Sequence, residues 1–231
     1  MFQTSLQLGR ILGVPIRLHW SFMLFLGCMM YLRYGSDYPW ADVVRIASFL
    51  ILLFGCVLLH ELGHALMAKR FGVKTHHITL MPFGGMALLE GTPKRPIQEM
   101  WIAFAGPLAN LLIAAALSVV LICTTEQGIS FIGITEGIFD YRLHFFQLLV
   151  FVNMLLFVFN LFPIYPFDGW RMLRALLCML FLREMATRMM LILSLIIGIC
   201  LVFIGFYYQD KRLMLLGLFS LFMIRRGIAT A

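Results

Sequence analysis

The chain has 231 residues, of which 62% are hydrophobic and 13% charged. A soluble domain clothes itself with about a quarter charged residues, so a fully watered surface is excluded and lipid must form part of the solvent. The net charge of +7 does not point to nucleic acid, because the basic residues follow the ends of the apolar stretches.

These stretches predict an all-α polytopic membrane protein, one domain over 1–231, with about six transmembrane helices and a short membrane-associated β-hairpin or loop after the second. Each long stretch holds about the ~20 residues needed to cross the hydrocarbon. The first span, 18–33, is short, but Arg17 and Arg33 can snorkel and Trp20 and Tyr31 suit the interfaces. No small-residue cleavage site follows it, so no removed signal peptide is expected.

The second span, 43–68, ends in His60-Glu61-Leu62-Gly63-His64. Charged groups in a membrane helix cost several kcal/mol, so their presence demands a function or a partner. Four-residue spacing stacks His60 and His64 on one helix face, where both can ligate one Zn²⁺, and Glu61 beside them can take a proton from water activated by the metal. Residues 77–90 follow as two short extended runs around Pro82-Phe83-Gly84-Gly85. They suit either a strand that pairs with an unwound peptide or a plain interfacial loop.

The third span, 100–124, contains Gly106-Pro107-Leu108-Ala109-Asn110, and the fourth, 144–167, runs into Asn160-Leu161-Phe162-Pro163-Ile164-Tyr165-Pro166-Phe167-Asp168-Gly169. Two prolines and a glycine interrupt that helix, and freed backbone groups at membrane depth are tolerated only against protein or a wet cavity. A carboxylate held there can bind metal, which makes Asp168 the candidate third ligand; the other reading is a cap for the helix that follows. Asn160 can hold substrate backbone or donate to a developing oxyanion, or else bond a neighbouring helix. The fifth and sixth spans are 188–208 and 212–225.

With the N-terminus in the cytoplasm, 13 of the 18 Lys and Arg residues fall inside and 5 (Arg33, Arg45, Arg142, Lys211, Arg212) outside. The positive-inside rule favours that orientation. Both termini are then cytoplasmic, and HELGH and Asp168 both arrive toward the cytoplasmic side. The five cysteines stand singly, with no CxxC pair, and read as small apolar residues. His19, His76, His77 and His144 lie near the interfaces and read as structural or solvated.

HELGH, the GPLAN segment and the Asn160-to-Gly169 segment, in this order, resemble the site-2 protease family over nearly the whole chain. The resemblance implies one zinc per chain, held by His60, His64 and Asp168, with Glu61 as catalytic base. It also implies that Asn160 helps hold substrate, and it places the substrate-contacting hairpin on residues 77–90. Phe83, Gly84, Gly85, Asn110 and Asn160 are the substrate-contact candidates. The chain looks most like small sporulation-type members without a PDZ or CBS domain, and it departs from the pattern in having Trp170 where glycine is common after Asp-Gly.

The function expected is hydrolysis of a peptide bond in or near a transmembrane segment, releasing a cytoplasmic product for signalling. Expected partners are a membrane protein or membrane-associated proprotein as substrate, the lipid bilayer and a membrane regulatory or inhibitory protein, with no nucleic acid. A bacterial cytoplasmic membrane is the default location. Six histidines are too few for a diiron membrane oxygenase. A transporter or proton relay using intramembrane His, Glu and Asp is the other reading.

Overall fold

The structure, a computed structural model, describes residues 5–34, 40–82, 84–91, 93–124 and 145–229. Its elements run β1 (Ser5–Ile11), β2 (Val14–His19), α1 (Trp20–Tyr34), α2 (Trp40–Arg70), β3 (Thr75–Met81), β4 (Gly84–Leu89), α3 (Pro96–Thr124), α4 (Phe145–Asn160), α5 (Asp168–Leu177), α6 (Arg183–Tyr207) and α7 (Lys211–Ala229). They fall into two compact units: Met1–Thr92 with Leu108–Phe157, and Pro93–Pro107 with Val158–Ala231.

The first unit corrects the all-α expectation. Its strands form one sheet in the order β1-β2-β3-β4, with β2 and β3 parallel and the outer pairs antiparallel. The β3–β4 hairpin matches the two extended runs expected at 77–90, with β3 starting two residues earlier, at Thr75. The β1–β2 hairpin was not foreseen. Its two-residue loop has positive φ at both Leu12 (52°) and Gly13 (88°), the backbone of the tight hairpin turn that matches strand twist. Leucine is a poor advertisement for that turn, where Asn or Asp would have signalled it.

The sheet anchors the helix that carries HELGH. Alternation along β2 buries Val14, Ile16 and Leu18, and with Ile78 and Leu80 of β3 they pack on Leu62 and Ala65 of α2. Phe22 of α1 meets Phe54 of α2 edge-on at 4.3 Å between ring centroids. Beyond HELGH, α2 closes on a left-handed Gly72 (φ 77°), with Gly72 N–H donating to the Lys69 carbonyl and Val73 N–H to that of Ala68. This pair of bonds satisfies carbonyls that a helix end otherwise leaves bare.

In the second unit α6 and α7 pack closely through glycines. A methyl at Gly217 would lie 2.7 Å from the Gly198 carbonyl oxygen and 2.8 Å from Val202 Cγ2. Small residues of this kind let membrane helices approach backbone to backbone. Glu99, at the start of α3, is buried and ion-paired with Arg174 of α5 and, at 2.6 Å, with Arg183 of α6. Glu99 thus ties these three elements to one another.

Among the described residues, three helices are long and apolar enough to cross a membrane: Ile46–Arg70, Pro96–Thr124 and Arg183–Tyr207. Trp20–Tyr31 and Phe145–Asn160 are shorter apolar helices. The predicted span 144–167 is therefore cut short: α4 stops at Asn160, and the chain is irregular up to Asp168. Asn160 and Asp168 consequently belong to different helices, α4 and α5.

Candidate metal centre

In the first unit the apolar pattern of α2 continues through HELGH, so the helix carries His60 (7% exposed), Glu61 (9%) and His64 (4%) into a buried setting. One turn apart, the two imidazoles face each other. Their Nε2 atoms are 3.1 Å apart, with the rings nearly perpendicular at 4.8 Å between centroids. Two nitrogens each ~2.0–2.1 Å from a tetrahedral ion would stand about 3.3 Å apart. The pair therefore fits a shared metal.

Each neighbour of the pair is itself held. Glu61 Oε2 accepts a hydrogen bond from the Ala87 N–H of β4 at 3.0 Å. Across from it, Gly85 lies so near that a Cβ there would collide with Glu61 Cγ. Asn110, on α3 and 1% exposed, sets its amide Nδ2 3.1 Å from His60 Nδ1. Of the substrate-contact candidates, Gly85 and Asn110 thus touch Glu61 and His60. Gly84 opens β4 with φ 135°, and Phe83 lies outside the described residues.

In the second unit Asp168 is the first residue of α5 and 8% exposed. It does not act as the cap: that position falls to Phe167, in extended conformation and without a side-chain capping bond. The glycine after it is required by packing, since a Cβ at Gly169 would run into the Leu161 carbonyl. Trp170, unexplained in the sequence, is buried edge-on against Tyr165 (5.2 Å) with the Arg174 guanidinium 4.8 Å from its ring centre. Asn160 ends α4, partly buried.

The Pro-rich break is held by hydroxyls that sequence reading missed. Ser194 Oγ of α6 accepts from the Tyr165 N–H at 3.1 Å, and Ser220 of α7 donates to the Tyr165 carbonyl at 2.9 Å. Both serines are fully buried. Polar residues in apolar helices were the available signal, as they were for Asn153, which is buried on α4 and donates to Cys56 Sγ.

Among the described residues, those grouped so that they could hold a metal ion are His60 and His64 in the first unit and Asp168 in the second, all buried. His76 is exposed, and His19 bonds Ser21 at 2.6 Å. His77 has its imidazole pushed below the usual range by partial burial, then by Arg17 and His76, which keeps it neutral at pH 7. His144 lies outside the described residues. All five cysteines are free.

The description of peptidase family M50 matches residues 48–205, more than half of the chain. The chain belongs to peptidase family M50. It is 37% identical over 176 residues to a zinc metalloprotease of Methanocaldococcus jannaschii, covering 75% of this chain and 45% of that one. It is also 32% identical over 126 residues to the stage IV sporulation protein FB of Bacillus subtilis, covering 54% of this chain and 38% of that one. The chain thus spans less than half the length of these curated relatives.

Among solved structures, the site-2 protease from Methanocaldococcus jannaschii superposes with a TM-score of 0.65 at 31% identity, over 96% of this chain and 94% of that one. The family resemblance carried by the three motifs is thereby established. His60, Glu61, His64, Asn110, Asn160 and Asp168 all lie inside residues 48–205, the stretch that matches family M50. The β1–β2 hairpin and α7 lie outside that stretch.

Proposed function

We propose that this M50 member is an intramembrane zinc endopeptidase that cuts a membrane-bound protein in or beside a transmembrane segment and releases a cytoplasmic product. The observation that carries the reading is the His60–His64 pair, with facing Nε2 atoms 3.1 Å apart and Glu61 beside them in an apolar helix. The zinc named in the relative's description fits this donor set.

Asp168 completes the ligand set. Among the described residues, the other carboxylate buried outside HELGH, Glu99, is committed to Arg174 and Arg183. Bound zinc would polarise the scissile carbonyl and bring the pKa of water down to ~7. Glu61, with Oε2 tied to the Ala87 N–H, keeps its other oxygen for the proton and returns it to the leaving nitrogen. β4, last in the sheet order, offers an edge on which an unwound substrate segment can lie as an added strand. Asn160 steadies the substrate backbone or the oxyanion.

Helical peptide bonds are shielded by their own hydrogen bonds, so helix-weakening residues near the cut favour cleavage. The test is a model transmembrane substrate offered to wild type and to Glu61→Gln. We expect the variant to keep its zinc and lose about 100- to 10,000-fold in cleavage rate. Undiminished cleavage by Glu61→Gln would refute the assignment of the base, whereas a folded wild type that neither holds zinc nor cleaves would put a transporter or relay role in the lead.

A further inference from the structure

We propose that Asn110 is a positioning residue for the metal: its side-chain oxygen accepts the Nδ1–H of His60 and so fixes the tautomer in which His60 Nε2 is bare. The inference rests on the zinc reading above and deepens it by one residue, reached from α3 rather than from the HELGH helix.

For both imidazoles to ligate one ion, both Nε2 atoms must present lone pairs. The ring proton of His60 then sits on Nδ1, where it needs an acceptor. The atom facing it is the amide of Asn110 at 3.1 Å. As placed, Nδ2 points at His60, and Oδ1 is buried with no hydrogen-bond partner among the described residues. An amide's oxygen and nitrogen exchange places by a half-turn about the last side-chain bond, and only the hydrogen bonds choose between them. A half-turn puts the orphaned oxygen on the Nδ1–H of His60 and supplies the acceptor that proton needs.

The unturned amide suits the metal-free pair. There Nδ2 donates to a bare His60 Nδ1, the ring proton sits on His60 Nε2, and His60 can donate to His64 across the same 3.1 Å. One buried amide thus serves both states, donating without metal and accepting with it. A buried acceptor that orients a ligating histidine is worth roughly 10- to 100-fold in metal affinity.

Two substitutions separate this role from simple packing. Leucine at 110 keeps the volume but offers no acceptor, whereas aspartate can only accept. Zinc affinity of the full chain in detergent is measured by competition with a chromogenic chelator, alongside thermal unfolding of the metal-free protein. We expect Asn110→Leu to bind zinc about 10- to 100-fold more weakly and Asn110→Asp to stay within about threefold of wild type. Cleavage of a model substrate should follow the same order and be restored to Asn110→Leu by excess zinc.

Wild-type zinc affinity in a folded Asn110→Leu would overturn the proposal. So would loss of zinc in a folded Asn110→Asp, because it would show that the amide must donate. A wild-type chain that takes up no zinc would remove the metal reading, and this one with it. If Asn110→Leu does not fold, the aspartate variant alone decides.

Discussion

At Gly85 a methyl group would occupy the space taken by Glu61 Cγ, so β4 can lie against the proposed base only with hydrogen at that position. Misplacing a catalytic group by about 1 Å costs on the order of 100-fold. Gly85→Ala should therefore lose about that much in cleavage rate while its zinc content stays at the wild-type level. Rates and metal analysis on one preparation check this, and an unimpaired rate would show that Glu61 works from another position. The residues that announce chemistry by type and spacing were legible: His60, Glu61 and His64 from a single turn of helix, Asp168 from a broken one. The contacts that hold them were not. His60 meets Asn110 fifty residues away, and no periodicity in one chain tells which face of α3 turns toward α2. Gly85 read as part of a loop motif, and its role as clearance for Glu61 needed the fold.

The same limit appears one level up, among the elements. The second and third spans and the extended runs of 77–90 could be read because hydropathy and turn residues mark them directly. The β1–β2 hairpin escaped, since its turn is Leu12-Gly13 and its strand residues Leu6 and Leu8 are exposed. The break after α4 was visible as Pro163 and Pro166, but not the means by which it is tied down. Ser194 and Ser220 do this from α6 and α7. Ser194→Ala removes the acceptor for the Tyr165 N–H, and an unsatisfied buried donor costs about 1–3 kcal/mol. Thermal unfolding in detergent should show a lower midpoint for Ser194→Ala and a further drop when Ser220→Ala is added. Unchanged midpoints would mean that the loop holds itself.

In the whole molecule, bound zinc would be part of the folded state. A ligand that binds only the native chain stabilises it by about 2.7 kcal/mol at one hundred times its dissociation constant. Chelation should therefore lower the unfolding midpoint and abolish cleavage together, and zinc should restore both. X-ray absorption at the zinc edge of the zinc-loaded chain reads the proposed ligand set itself. We expect two imidazole nitrogens at about 2.0–2.1 Å and oxygen at about 2.0–2.2 Å, with the protein oxygen lost in Asp168→Ala. Sulfur scattering at about 2.3 Å, or a first shell unchanged by replacing His60, His64 or Asp168, would contradict it.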